Sequence, residues 1–243
     1  MSKEKRRKSN KKQLKSKSLI LSVLVIVGIL VYVANSEESV ESEQKSEQQE
    51  IQETGTVKVE FPYVLNEGKL EVDSLFQFQG INTDSGNQEG TDIAAIVLKN
   101  VSELYLTSAN VFLEMADGTR LEFLVTELPA GKQVMAFSTE NQILTSDVEC
   151  IGVSCETSYE SGDSKAVNQI QVEVEGVAVT LTNVSGEEVS DLVIYCHNIL
   201  GEDYLGGVSY KYVVDNIPAN ESVTVEARDC ILGMADVVRM EVR

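Results

Sequence analysis

An internal repeat constrains the fold of this chain more than any other feature of its sequence. The segment DIAAIVLKNVSELYLTSANVFLEM, which begins at Asp92, aligns with EGVAVTLTNVSGEEVSDLVIYCHN, which begins at Glu175. Asn100 falls on Asn183, an offset of 83 residues. Farther on, the turn sequence LPAG at 128–131 falls on IPAN at 217–220, an offset of 89. The repeat therefore predicts two copies of one structural unit.

The two offsets differ by six residues, and the difference falls in the sequence GEDYLGGVSYKYVV of the second copy. This sequence predicts a longer hairpin in the second copy than in the first. Beyond it, the offset of 89 places Asp147 on Asp236 and Cys150 on Arg239. An arginine at the equivalent position predicts that Cys150 lies on an outer face of the sandwich.

From about residue 55 onward, short runs of alternating apolar and polar residues are separated by turn sequences such as Asp117-Gly118. This period-2 pattern, broken about every ten residues, is typical of an all-β sandwich. We expect two tandem β-sandwich domains, at residues 55–157 and 167–243, joined by a linker at 158–166.

The N-terminal part has a different composition. Residues 1–17 carry nine Lys and Arg and one Glu, and residues 18–34 read SLILSVLVIVGILVYVA without a charge. This predicts one transmembrane helix that acts as a signal anchor, with a basic cytoplasmic tail before it and the C-terminal domains outside the cytoplasm. A cleaved signal peptide, cut after Ser36, is the alternative. Residues 35–54 hold seven Glu and predict an acidic, disordered spacer.

The charge of the chain limits its partners. The formal net charge is −19, and the first 17 residues contribute +8, so the remainder carries −27. A polyanionic body repels nucleic acid, and we expect no nucleic-acid partner for it.

Three features resemble the FxLYD-type modules of bacterial membrane-anchored proteins. They are the apolar run that ends in Asn100-Val101-Ser102, the long strand that ends in Asp117-Gly118, and the turn Leu128-Pro129-Ala130-Gly131. FLEMAD stands where that family has its aromatic-x-Leu-Tyr-Asp run, and the second copy has Asn220 in place of glycine. The resemblance implies immunoglobulin-like sandwiches with an adhesion, binding or spacer role outside the cytoplasm.

Few residues offer catalytic or metal chemistry. His197 has no partner in a nucleophile motif or a histidine pair, and we expect a surface or strand-end histidine. The polar segment 84–92, DSGNQEGTD, is the best calcium candidate but lacks the spacing of an EF-hand. We therefore expect no catalytic, metal or cofactor site, and read the segment as a polar loop. The sequons at Asn100, Asn183 and Asn220 are interpreted as turn chemistry rather than as glycan acceptors.

Four cysteines are the candidate disulfide residues: Cys150, Cys155, Cys196 and Cys230. An even count in a translocated protein favours two bridges, one within each domain. Cys196 takes the core position that Leu113 fills in the first copy, and a Cys196–Cys230 bridge would stabilise the domain by about 3–4 kcal/mol. Unpaired buried thiols are the alternative.

Three functional hypotheses follow. The first is a non-enzymatic binding or spacer protein that is tethered to the membrane of a bacterial cell and has an unknown protein or envelope partner. The second is an accessory subunit of a membrane complex, which acts through its transmembrane helix and basic tail. The third, an enzyme with paired carboxylates, has no supporting motif.

Overall fold

The described part of the structure, which is a computed structural model, comprises residues 58–86, 88–161, 168–231 and 233–243. The basic tail, the predicted transmembrane segment and the acidic spacer lie outside these residues. None of the helices among these residues could span a bilayer.

The described residues form β-strands and three short 3-10 helices, which confirms the all-β prediction. The strands are β1 (Tyr63–Leu65), β2 (Leu70–Asn82), β3 (Gln88–Asn100), β4 (Tyr105–Met115), β5 (Arg120–Leu128), β6 (Gln133–Phe137), β7 (Cys150–Glu160), β8 (Ile170–Glu175), β9 (Ala178–Asn183), β10 (Val189–Leu200), β11 (Asp203–Ile217), β12 (Ser222–Glu226) and β13 (Ala235–Val242). The 3-10 helices are Asn66–Gly68, Thr83–Ser85 and Thr139–Asn141.

Three sheets contain these strands. A seven-stranded sheet has the order β1-β2-β3-β6-β11-β10-β13, and two three-stranded sheets have the orders β5-β4-β7 and β12-β9-β8. We call β1–β7 module 1 and β8–β13 module 2. The seven-stranded sheet therefore runs through both modules, and both belong to one compact unit, Gly55–Arg243.

The strand register confirms the repeat, with the offset of 83 between β3 and β9 and the offset of 89 between β6 and β12. Lys99 pairs with Gln133 between β3 and β6, and the equivalent strands β9 and β12 pair Thr182 with Ser222. These pairs are related by the offsets of 83 and 89. The extra residues of the second copy also lie where the sequence predicts, because β11 has 15 residues and β5 has nine.

The offset of 89 is wrong for the last strand of each module. Met115 pairs with Cys150 in module 1, and its equivalent Asn198 pairs with Ala235 in module 2, so the offset there is 85. The cause is a connection four residues shorter in module 2, where residues 227–234 replace 138–149. Cys150 is thus equivalent to the buried Ala235, and it is buried itself rather than on an outer face.

The sheets pack in three layers around two main cores. Along β10, Leu192 and Ile194 face the core of module 2, which lies between the seven-stranded sheet and the small sheet β12-β9-β8. The alternating residues Tyr195 and Ile199 pack against the core of module 1. Because neighbouring side chains on a strand point to opposite faces, β10 is covered by module 2's small sheet on one side and by module 1 on the other.

The two repeated sequons have structural roles, as predicted from their sequence. Asn100 and Asn183 are fully buried. The amide nitrogen of Asn100 donates to the carbonyls of Leu104 and Leu128, and that of Asn183 donates to Glu187 and Ile217. Each asparagine thus ties the end of one strand to the turn that follows and to the neighbouring connection.

Candidate functional site at the junction of the two modules

The long hairpin of module 2, formed by β10 and β11, joins the two modules. Its second strand, β11, pairs with β6 of module 1. Tyr204 pairs with Val134, and Leu205 pairs with Met135, in a parallel register. Tyr204 enters the main core of module 1, whereas Leu205 joins a small cluster with Ile93 on the other face of the sheet. Consecutive residues of the hairpin therefore anchor it on both faces.

Asp84 fills the point where β6 and β11 diverge. Its carboxylate accepts hydrogen bonds from the backbone N–H groups of Gly207 at 2.8 Å, Val208 at 3.1 Å and Phe137 at 3.3 Å. Without Asp84 these three donors would lose their partner inside the junction. Burial raises the pKa of Asp84, and the three backbone hydrogen bonds oppose this shift. This residue opens the segment 84–92, the calcium candidate, and its side chain binds the main chain instead.

Two glycines allow the chain to pass close to module 1. Between β10 and β11 the ladder runs from Cys196–Tyr210 to Asn198–Leu205, so Gly206 to Ser209 bulge out opposite a single residue. A Cβ atom on Gly207 would overlap the carbonyl oxygen of Leu124, and one on Gly206 would overlap the hydroxyl of Thr83. Gly206 also has a φ of 87°, which favours glycine.

His197, the residue opposite this bulge, is fully buried within β10. The prediction of a surface or strand-end histidine is therefore wrong. Its Nε2 atom lies 2.8 Å from the carbonyl oxygen of Thr126 in β5, so Nε2 carries the proton and donates. Its ring stacks on Tyr204 with centroids 4.9 Å apart. Burial lowers the pKa of His197, which favours the neutral imidazole.

A charge cluster closes the junction on the β13 side. Arg239 of module 2 lies 3.4 Å from a carboxylate oxygen of Glu127 and 3.1 Å from one of Glu160, both in module 1. The side chains of Arg239 and Glu127 are only 18% and 11% exposed, so water screens this pair less than an ordinary surface pair. Burial raises the pKa of Glu127, and the arginine charge opposes the shift. Glu127 has a φ of 54°, a strained value for a residue within a strand.

A cavity of about 200 Å³ remains beside Asp84, with Leu124 and Phe137 of module 1 and Val208 of module 2 in its wall. Pockets that hold drug-sized ligands are about 300–1,000 Å³. The cavity is therefore better explained as imperfect packing between the modules than as a ligand pocket. In the described residues, no group of three or more His, Cys, Asp or Glu side chains is placed to hold a metal ion.

The four cysteines are free thiols in the structure. Cys196 and Cys230 are buried in the same core of module 2, which agrees with the core position predicted for Cys196. Cys150 and Cys155 lie five residues apart on β7, a separation of roughly 16 Å along an extended strand. A disulfide needs Cα atoms within about 7 Å, so this strand holds Cys150 and Cys155 too far apart to pair with each other.

The junction thus uses its polar groups to hold two modules in one orientation. The sequence did not identify Asp84, Arg239 and His197 as residues of the junction, and it did not predict that His197 is buried. The available signal was the hairpin insertion with its Tyr-Leu-Gly-Gly sequence, since an insertion rich in apolar residues and glycine needs a surface to pack on. No protein-family model and no curated protein matches the chain, so the resemblance to FxLYD-type modules stays a prediction.

Proposed function

We propose that this chain is a non-enzymatic, membrane-tethered protein of the bacterial cell envelope, whose two immunoglobulin-like modules form one rigid binding or spacer body outside the cytoplasm. One observation carries the proposal. The seven-stranded sheet continues from module 1 into module 2, so the modules cannot swing freely about a linker. Relative motion is the ordinary expectation for tandem domains joined only by a small polar interface.

The polar groups of the junction support a fixed orientation. Asp84 and His197 each bind main-chain groups of the other module, and Arg239 pairs with two carboxylates across the junction. Separating the modules would leave buried hydrogen-bonding groups without partners, at about 1–3 kcal/mol for each. A rigid body on an acidic spacer suits a protein that presents a surface at a set distance from the membrane.

The tether and the orientation rest on residues 1–54, and the first experiment addresses them. Intact cells are treated with an amine-reactive reagent that does not cross membranes, and the modified lysines are mapped by mass spectrometry. We expect labels on exposed lysines of the folded part, such as Lys58 and Lys132, and none on Lys3 to Lys17 until the cells are permeabilised. Labelling of both sets in intact cells, or of neither, would contradict the proposed orientation.

A second experiment separates the modules from the membrane helix as the source of recognition. Partners are captured from cross-linked cells with the full chain and with a version in which an unrelated transmembrane helix replaces residues 18–34. We expect the same partner from both. Loss of the partner with the helix would instead indicate an accessory subunit of a membrane complex.

A further inference from the structure

Two equivalent strands of the repeat have different neighbours. β6 and β12 pair in the same register with β3 and β9, as the pairs Lys99–Gln133 and Thr182–Ser222 show. The outer edge of β6 receives β11 from module 2. β12 ends its sheet, and in the described part of the chain no strand pairs with its outer edge. Among the described residues, the repeat thus provides one occupied copy and one open copy of the same strand edge.

The backbone groups that face this open edge can be identified. The N–H of Asn183 donates to the carbonyl of Glu221, so in the alternating ladder the odd-numbered residues of β12 bond to β9. The even-numbered residues Ser222, Thr224 and Glu226 therefore direct their N–H and C=O groups outward. The carbonyl of Glu226 already accepts the N–H of Arg228. Thr224 is the central residue with both groups on the edge.

The occupied edge shows how a strand is received. Met135 of β6 is equivalent to Thr224 by the offset of 89, and it pairs with Leu205 in the parallel register. The next outward residue, Phe137, donates its N–H to Asp84. Addition of a strand to a sheet edge is a general mode of peptide recognition, in which main-chain hydrogen bonds supply affinity and side chains supply specificity.

The charges beside the two edges are opposite. Lys132 directly precedes β6, and its ammonium lies 6.0 Å from the centroid of the Tyr204 ring. The hairpin carries Glu202 and Asp203 just before that tyrosine. The residue equivalent to Lys132 is Glu221, which is exposed. An incoming strand that suits β12 therefore carries basic residues where the chain's own hairpin carries acidic ones.

A second copy of the chain does not meet this requirement. Its hairpin is already paired with its own β6, and the corresponding β4–β5 hairpin of module 1 is six residues shorter in its second strand. Both copies are also strongly acidic.

We propose that the free edge of β12 binds, in parallel, an extended segment of a partner protein that has basic residues just before its paired positions. This deepens the binding role proposed above and rests on it only for the cellular location of the partner.

The test uses the full chain in lipid nanodiscs and a labelled peptide of residues 199–209 in which Glu202 and Asp203 are both replaced by lysine (E202K/D203K). The unmodified peptide is the matched probe. We expect the lysine peptide to bind more tightly and to slow amide hydrogen exchange in residues 222–226. The substitution Thr224→Pro removes one outward N–H and should weaken binding at least about fivefold, the equivalent of one hydrogen bond. Proline is tolerated on edge strands, so this variant should fold.

The charge reversal Glu221→Lys provides a second variant that leaves the backbone intact. We expect it to invert the preference, so that the unmodified peptide binds more tightly than the lysine peptide. The proposal is overturned if the wild-type chain does not distinguish the peptides, if Glu221→Lys leaves the preference unchanged, or if a folded Thr224→Pro variant binds as well as the wild type. These measurements use purified chain, so failure here leaves the membrane orientation to be judged by lysine labelling alone.

Discussion

The carboxylate of Asp84 accepts a 2.8 Å hydrogen bond from the backbone N–H of Gly207, so a side chain of module 1 binds the main chain of module 2. This contact lies where two parallel strands separate and three N–H groups lose their strand partners. A carboxylate suits the position because it accepts several bonds at once and because bonds to a charged acceptor are stronger than neutral ones. The junction is therefore specified by backbone geometry as much as by apolar contact.

Replacing Gly207 with alanine should weaken the junction. Gly207 has an ordinary φ, so the effect would come from overlap of the new Cβ with the carbonyl oxygen of Leu124 rather than from backbone strain. We expect a loss of about 1–3 kcal/mol in the free energy of unfolding, measured by urea titration of the full chain. Gly186→Ala is the matched control, since a Cβ there meets no atom within 4 Å. Equal effects of the two substitutions would show that Gly207 is not closely packed.

Replacing His197 with phenylalanine should give a pH-dependent loss of stability. The phenylalanine ring could still stack on Tyr204, but the carbonyl of Thr126 would lose its donor. At pH values above 7 this loss should lower the free energy of unfolding by about 1–3 kcal/mol. Burial lowers the folded-state pKa of His197 below its usual 6.5, so the stability from the neutral imidazole is complete above that pH. It is lost as the pH falls toward the folded pKa, because the unfolded chain takes up the proton first. The difference in the free energy of unfolding between wild type and variant should therefore narrow as the pH falls from 7 to 5.

Denaturant titrations at several pH values measure this gap, and His197→Gln serves as the comparison because its amide can still donate to Thr126. A gap that stays constant with pH would contradict the assignment of a buried neutral histidine.

The sequence predicted the parts of the fold that depend on local pattern. Alternation defined the strands, and the repeated Asn-x-Ser and Pro turns fixed the register of β3, β6, β9 and β12, because those residues end strands at set positions. The last strand was misplaced because the preceding connection differs by four residues, and no turn motif marks that difference. Local pattern cannot supply the length of an irregular connection.

The residues of the junction could not be predicted from local sequence pattern, for a different reason. Asp84 stands in a run of polar residues that reads as a solvated loop, and His197 follows an apolar strand as a terminal residue would. Both are buried only because the hairpin of module 2 folds back onto β6, a contact between residues far apart in sequence. The parallel pairing of β11 with the edge of β6 requires no particular alternation or sequence motif in either strand.

Removing the buried asparagines should cost about the same in each module, because their hydrogen bonds repeat. We expect Asn100→Ala and Asn183→Ala each to lower the free energy of unfolding by about 2–4 kcal/mol, since each leaves several buried carbonyl and N–H groups without partners. Asn220→Gly is the control. Asn220 is exposed with a φ of 59°, where its equivalent is Gly131, so glycine should be neutral or slightly stabilising.

Urea titrations of the three variants decide this prediction. A small effect at one of the two buried asparagines would show that the repeat conserves their sequence position without conserving their structural role.

The thiols should react in an order set by burial. Cys196 and Cys230 are almost completely buried, and burial raises the pKa of each to about 12, so little thiolate forms at neutral pH. Cys155 is partly exposed. We expect a maleimide to label Cys155 first in the native chain and to leave Cys196 and Cys230 unmodified, as peptide mass spectrometry would show. Native labelling of Cys196 as fast as that of Cys155 would contradict the burial of module 2's core.

The chain purified from its native host and labelled with maleimide in denaturant, without reductant, decides between the two predictions for the cysteines. Four labels would mean that all the cysteines are thiols, as in the structure. Labels on Cys150 and Cys155 alone would mean that Cys196 and Cys230 form the bridge predicted from the sequence. Cys196 and Cys230 lie together in the core of module 2, whereas Cys150 and Cys155 lie at the core of module 1, where extended β7 holds them too far apart to pair.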